Sequence, residues 1–190
     1  MQQRFMEAEQ FDGMDFTTAP LPKGEYEACV FKQCRFGEAD LTLVTFSECI
    51  FEACDLSMAH VRNTAFKSVQ FKNCKMLGLR FDECQTLLLS FAFENCQLNF
   101  SSFYKLKLKA TLFKKCTLHE VEFKEADLTN TRFDDCDLMR AQFENTVLNG
   151  ADFRSSINFS IDPERNKVKR TRFSEAGLRG LLHKYDLLID

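Results

Sequence analysis

An apolar residue recurs at every fifth position along most of this chain, a period that no ordinary secondary structure shares. Phe11, Phe16, Leu21, Tyr26, Phe31, Phe36, Leu41, Phe46, Phe51, Leu56, Val61, Phe66, Phe71, Met76 and Phe81 hold one register. After a slip of two residues, Phe93, Leu98, Phe103, Leu108, Phe113, Leu118, Phe123, Leu128, Phe133, Leu138, Phe143, Leu148 and Phe153 hold a second. Helix faces repeat about every 3.6 residues and strand faces about every 2. A beat of five therefore requires units that stack on copies of themselves.

Small residues dominate the place two before the apolar centre, with Leu106 the main exception. All nine cysteines take this place, counting Cys84 as two before Thr86, while sixteen of the 21 phenylalanines take the centre. Two inward residues separated by one outward residue form a very short strand, and the rest of each pentad must turn the chain. Cys96, Cys116 and Cys136 recur at twenty, as do Cys34, Cys54 and Cys74, and Phe11, Phe31, Phe51 and Phe71. Twenty residues per coil means four pentads and a square cross-section. About seven coils at ~4.8 Å per rung give a rod on the order of 35 Å long. Rings stacked on rings fill the middle, small residues fill the space beside them, and backbone amides pair between coils.

At 190 residues the chain has the length of about one domain, and 45% apolar residues provide a core. It contains no membrane-length apolar run. The opening MQQRFMEAEQFDG lacks the apolar stretch of an export signal. Nine cysteines in no zinc or disulfide spacing read as reduced thiols in a cytoplasmic protein. Stacked thiols suggest metal, but Ala, Thr and Val replace Cys at equivalent places, which favours a packing role. His60, His119 and His183 are scattered, and no nucleotide-loop or metalloprotease motif is present. The expectation is no enzyme activity, no cofactor, no metal, no direct nucleic-acid contact and no membrane association.

The tripeptides Ala39-Asp40-Leu41, Cys54-Asp55-Leu56, Ala126-Asp127-Leu128, Cys136-Asp137-Leu138 and Ala151-Asp152-Phe153 resemble the A-(D/N)-L-x-x pattern of pentapeptide-repeat proteins, over roughly residues 9 to 155. The resemblance implies an all-β fold, a right-handed quadrilateral β-helix. Within the family the chain is similar to the Qnr- and McbG-like members, and Ile161-Asp162-Pro163-Glu164 and Glu175-Ala176-Gly177-Leu178 resemble the closing segment of the McbG-like ones. Those members are quinolone-resistance and microcin-immunity proteins. That likeness implies a rod that binds DNA gyrase or topoisomerase IV by mimicking DNA in shape and charge. The alternative is a scaffold or regulatory rod with no topoisomerase role.

The expected organisation is a β-helix over 1–155, with a bulge or short loop near 84–92, and a capping or dimerisation segment over 156–190. Phe91 falls on a small-residue place just after the break. Pro20 and Pro22 should face outward, because proline donates nothing to a ladder. Asp162-Pro163-Glu164 reads as a helix start, Val168 to Phe173 as a last rung, and Ser174 as the cap of a second helix. Leu178, Leu181, Leu182 and Tyr185 would share one face of that helix, closing the rod or, with Leu187, pairing two copies. The tail 186–189 reads as an edge strand or a dimer contact.

Charge is banded along the chain: 11 acids against 4 bases over 1–60, 3 against 10 over 61–115, and 9 against 4 over 116–160. Bands along the sequence become bands along a rod, able to steer a partner. Lys105, Lys107, Lys109, Lys114 and Lys115 are the densest basic cluster and, with outward Phe100 and Tyr104, the candidate partner-binding residues.

Overall fold

The computed structural model describes residues 4–188, and these form a parallel β-helix of about seven turns. Its strands are β1 (Arg4–Glu7), β2 (Gln10–Asp12), β3 (Gly24–Glu27), β4 (Val30–Lys32), β5 (Thr45–Ser47), β6 (Ile50–Glu52), β7 (Ala65–Lys67), β8 (Val69–Lys72), β9 (Phe91–Glu94), β10 (Leu112–Lys114) and β11 (Arg132–Asp134). Every pairing is parallel, and the partner lies one coil away: Phe11 opposite Phe31, Phe31 opposite Phe51, Phe51 opposite Phe71. β1, β3, β5 and β7 make one sheet, and β2, β4, β6, β8, β9, β10 and β11 the adjoining one. The other two sides are held by single bridges, such as Asp15–Arg35–Asp55–Lys75 and Ser102–Glu122–Gln142. The four sides are named here by their first inward residue: the Met6, Phe11, Phe16 and Leu21 faces.

The interior is a set of ring columns. On the Phe11 face, centroid separations of 4.7, 4.8, 5.1, 5.4, 5.0, 5.1, 4.7 and 5.6 Å run from Phe11 through Phe31, Phe51, Phe71, Phe93, Phe113, Phe133 and Phe153 to Phe173. The Leu21 face adds Phe81, Phe103, Phe123 and Phe143, stacked at 4.6 to 5.3 Å. Neighbouring columns meet edge to face, as Phe103 and Phe113 do at 85°. Each ring thus meets the faces of its own column and the edges of the next, both favourable arrangements for a π-system.

A right-angled turn after so short a strand is made by a left-handed residue, and the last residue of most pentads takes φ between about 50° and 70°. Few of these corners are glycine. Asn occupies several of them, in keeping with its tolerance of this region. Pro20 and Pro22 are exposed, as their outward reading requires.

The break is a turn pushed out of the Met6 face. Thr86, at the expected centre, is exposed, and Leu87 and Leu88 project at 67% and 69% exposure. The vacancy beneath is filled from the next face: Phe91 pairs with Val69 and turns inward, 5.6 Å from Phe66 and 5.1 Å from Phe81. The two-residue slip changes the pairing interval to twenty-two, Phe71 opposite Phe93, and the repeat of twenty resumes at Phe113.

At the far end the last rung forms as expected, with Lys167 bridged to Val147 and Arg172 to Asp152. Two helical expectations are corrected. Asp162 to Arg165 is a single turn: the Asp162 carboxylate accepts the Glu164 N–H at 2.9 Å and the chain then re-enters the ladder, so no helix propagates. The final segment is a 3-10 helix over Ala176–Leu181 followed by another over His183–Tyr185, not an α-helix. Ser174 does act at its start, accepting the Gly177 N–H at 3.1 Å. A 3-10 turn brings residues three apart into line, and here the aligned pair is Gly177 and Gly180, laid on Phe159. Phe159, 2% exposed, plugs the rod, a role the beat of five does not assign to it. Its signal was an aromatic in the last pentad displaced one place from the centre.

Candidate interaction surface

The inward small residues are more than filler. Thr64, Thr131 and Thr146 donate their hydroxyls to the carbonyls of Leu41, Leu108 and Phe123, twenty-three residues earlier, at 2.7, 2.8 and 2.9 Å. Cysteine thiols make the same bond: Cys49 to Tyr26, Cys54 to Phe31 and Cys74 to Phe51, at 3.2 to 3.3 Å. Cys, Ser and Thr exchange here because each is small and carries one donor. All nine cysteines are free and buried. Desolvation pushes the Cys49 thiol up to about 12 and raises that of Cys84 too, which holds them neutral and unreactive. Among the described residues no group of His, Cys, Asp and Glu is gathered to hold a metal ion.

On the outside of the rod the charges are ordered. Just after the centre of each Phe11-face rung stand Asp12, Lys32, Glu52, Lys72, Glu94, Lys114 and Asp134, each opposite the next across the ladder. The sign alternates at every step. Lys114 Nζ lies 2.7 Å from Glu94, and on the Phe16 face Arg35 and Lys75 lie 3.0 and 3.5 Å from Asp15 and Asp55. Opposite charges directly across a ladder stabilise it by roughly 0.2–1 kcal/mol, and like charges would oppose it. Asp40 is held at about 2 by its hydrogen bond with Thr42 and then by Lys23, 2.9 Å away. A groove lined by Arg132, Arg154 and Arg172 also contains Asp134 and Asp152, and each guanidinium already faces one of these carboxylates.

The lysine cluster does not gather on one face. Tyr104 and Lys105 lie on the Leu21 face, Lys107 and Lys109 on the Met6 face, and Lys114 and Lys115 on the Phe11 face, so one coil carries them round its girth. Three of them meet carboxylates one coil away: Lys105–Glu125 at 3.4 Å, Lys109–Asp127 at 3.2 Å and Lys114–Glu94 at 2.7 Å. Tyr104 is half-buried, donates to Glu125 at 2.9 Å and carries Lys105 Nζ 4.7 Å above its ring.

Phe100 does face outward, at 59% exposure, from the corner between the Phe16 and Leu21 faces. The same corner one and two coils earlier holds Gly78 and Met58. Met58, 57% exposed, lays its sulfur over Gly78, which has no side chain to displace it. With half-buried Leu77 beside them, these residues form an apolar knob on an otherwise polar edge.

The candidate dimer residues divide. Leu181 packs on the core and Leu182 is half-buried, whereas Leu178, Tyr185 and Leu187 are 47%, 52% and 56% exposed around the capped end. Leu187 and Leu188 belong to no strand, and Ile189 lies outside the described residues. Among the described residues no helix is long and apolar enough to cross a membrane.

Comparison with known proteins agrees with this geometry. Family models described as a pentapeptide repeat region and as pentapeptide repeats (8 copies) match residues 44–123 and 136–157. A trypsin-treated form of QnrB1, titled a plasmid-mediated fluoroquinolone resistance protein, superposes with a TM-score of 0.72 at 17% identity, over 98% of this chain and 92% of that one. HetL, a pentapeptide repeat protein involved in heterocyst differentiation regulation from the cyanobacterium Nostoc, gives 0.61 at 14% identity, over 90% and 88%. No curated protein matches the chain by sequence. The repeat is matched on both sides of the extruded turn and the coil is shared with these rods: the chain belongs to the pentapeptide-repeat proteins.

Proposed function

We propose that the chain is a non-catalytic interaction rod that binds a type II topoisomerase, DNA gyrase or topoisomerase IV, and protects it from a quinolone or a toxin. The carrying observation is the filled interior: rings and thiols occupy the rod from end to end, so recognition belongs to the outer faces. The fold shared along nearly the whole length with a fluoroquinolone resistance protein, and the resemblance of the closing segment to that of McbG-like members, support this partner class. A cytoplasmic location goes with it.

Alternating ladders leave no uniformly acidic face, so mimicry of a duplex rests here on the shape of the rod more than on its charge. The proposed contact is the edge carrying Phe100, with Met58, Tyr104 and Lys105 beside it: an exposed ring flanked by polar groups has the make-up of an interface anchor. Supercoiling by gyrase, and cleavage in the presence of a quinolone, should both fall when purified protein is added. If neither changes and no complex forms, the topoisomerase reading is withdrawn.

The second reading, a regulatory scaffold, is favoured by the likeness to HetL. A pull-down from the native cell, repeated with Lys105, Lys107, Lys109, Lys114 and Lys115 reversed to glutamate, would recover a different, charge-dependent partner. Leu178, Tyr185 and Leu187 are the residues an end-to-end homodimer would use. Light scattering on the chain with all three changed to serine tests that contact: an unchanged mass removes it.

A further inference from the structure

The Met6 face breaks the rule that orders the other charges. Its first rungs carry Glu7, Glu25, Glu27 and Glu48, and its last carry Lys107, Lys109, Lys167, Lys169 and Arg170, all exposed. Among the described residues only Lys109 of this set is in a salt bridge, with Asp127. Glu7 stands directly opposite Glu27 on the ladder, a like-charged pair of the kind the Phe11 face avoids at every step. Between the two arms lies the extruded turn. The bridges of this face run to Ala65–Gln85 and resume at Lys107–Asp127, and in the gap stand Leu87 and Leu88, more than half exposed. The rungs centred on Met6, Tyr26, Phe46 and Phe66 precede the turn, and those centred on Leu108, Leu128, Leu148 and Val168 follow it.

This order, acidic arm, apolar centre, basic arm, is self-complementary under a two-fold rotation. We propose that the Met6 face is a contact between two copies of this chain lying antiparallel, with the axis at the Leu87–Leu88 turn and each acidic arm against the other copy's basic arm. An acidic partner would engage the basic arm alone and a basic partner the acidic arm alone, whereas a second copy engages both arms and covers the leucines. Two bases lie in the acidic half. Arg4 is exposed at the open end of the rod but stands on the same side of β1 as Met6, away from Glu7, and Lys67 is half-buried beside the turn. The attraction is carried by exposed charges and so depends on salt.

Sedimentation of the full chain tests the proposal. The native protein should dimerise at low ionic strength and dissociate near 1 M salt, where screening acts over about 3 Å. A chain with Glu7→Lys, Glu25→Lys and Glu27→Lys, and a second with Lys167→Glu, Lys169→Glu and Arg170→Glu, should each remain monomeric. An equimolar mixture of the two should dimerise again, because each supplies the arm the other lacks. A native protein that stays monomeric at low salt overturns the proposal. So does a dimer indifferent to either reversal, which is what an end-to-end contact would give, or a mixture of two folded variants that stays monomeric. Should a charge variant lose its β spectrum, Leu87→Asp with Leu88→Asp replaces it. That chain should associate roughly tenfold more weakly, and unchanged association sinks the idea.

Discussion

At the scale of single residues, the inward small position is a hydrogen-bond donor site as much as a packing site. Thr64 is fully buried and its hydroxyl satisfies the Leu41 carbonyl at 2.7 Å. Thr64→Val preserves shape and removes the donor while the Leu41 carbonyl keeps the Val44 N–H, so it should cost about 0.5–1.5 kcal/mol in denaturant unfolding, and Thr64→Cys should cost less. The outward position before the centre has its own chemistry in Asp40, whose carboxylate accepts the Thr42 N–H and meets Lys23. Its folded pKa, about 2, lies below the unfolded value near 4. The stability it contributes is therefore complete above about pH 4 and is lost as pH falls from there toward 2. Melting followed against pH should show that acid limb, and Asp40→Asn should flatten it by a few degrees at most, because the pair is exposed.

At the scale of elements, a rung has almost no stability of its own and is held by the rungs above and below. Phe113 lies 5.0 Å from Phe93 and 5.1 Å from Phe133, wholly buried. Phe113→Ala should lower stability by roughly 3–5 kcal/mol, because neighbours fixed in their own columns cannot close the hole. The cap shows the opposite sensitivity. Gly180 meets the ring and carbonyl of Phe159 where a methyl group would stand, and its own carbonyl accepts the Ile161 N–H at 2.9 Å. Gly180→Ala should lift the cap at a cost of about 1–3 kcal/mol, read as a lower melting temperature and as faster proteolysis after Phe173.

At the scale of the whole molecule, the rod separates stability from recognition. Stability sits in the columns and ladders, and the recognition proposed above uses features outside both: the Phe100 edge, the split charge of the Met6 face and the apolar rim of the cap. Phe100→Ala should leave the melting temperature within about a degree, since the ring is mostly exposed, yet weaken binding to a topoisomerase by roughly 1–2 kcal/mol. Equal loss of binding and stability would show that the ring serves the fold instead.

The beat of five, the period of twenty and the size split between centre and flank were enough to give the coil, its square section and its filled interior, because a solenoid's long-range contacts lie at a constant sequence interval. The alternating ladder was legible at the same interval, in Asp12, Lys32, Glu52 and Lys72, but counting charges along the chain smeared it into bands. The remaining features needed three dimensions. Adjacent lysines proved distant because each corner turns the chain to a new side. The cap met Phe159 through Gly177 and Gly180 because the ring lies too close for a side chain at either place, and the break became a projecting turn because Phe91 could fill the space beneath it. The cap and the break were each decided by a fit between side chains whose separation in sequence follows no period.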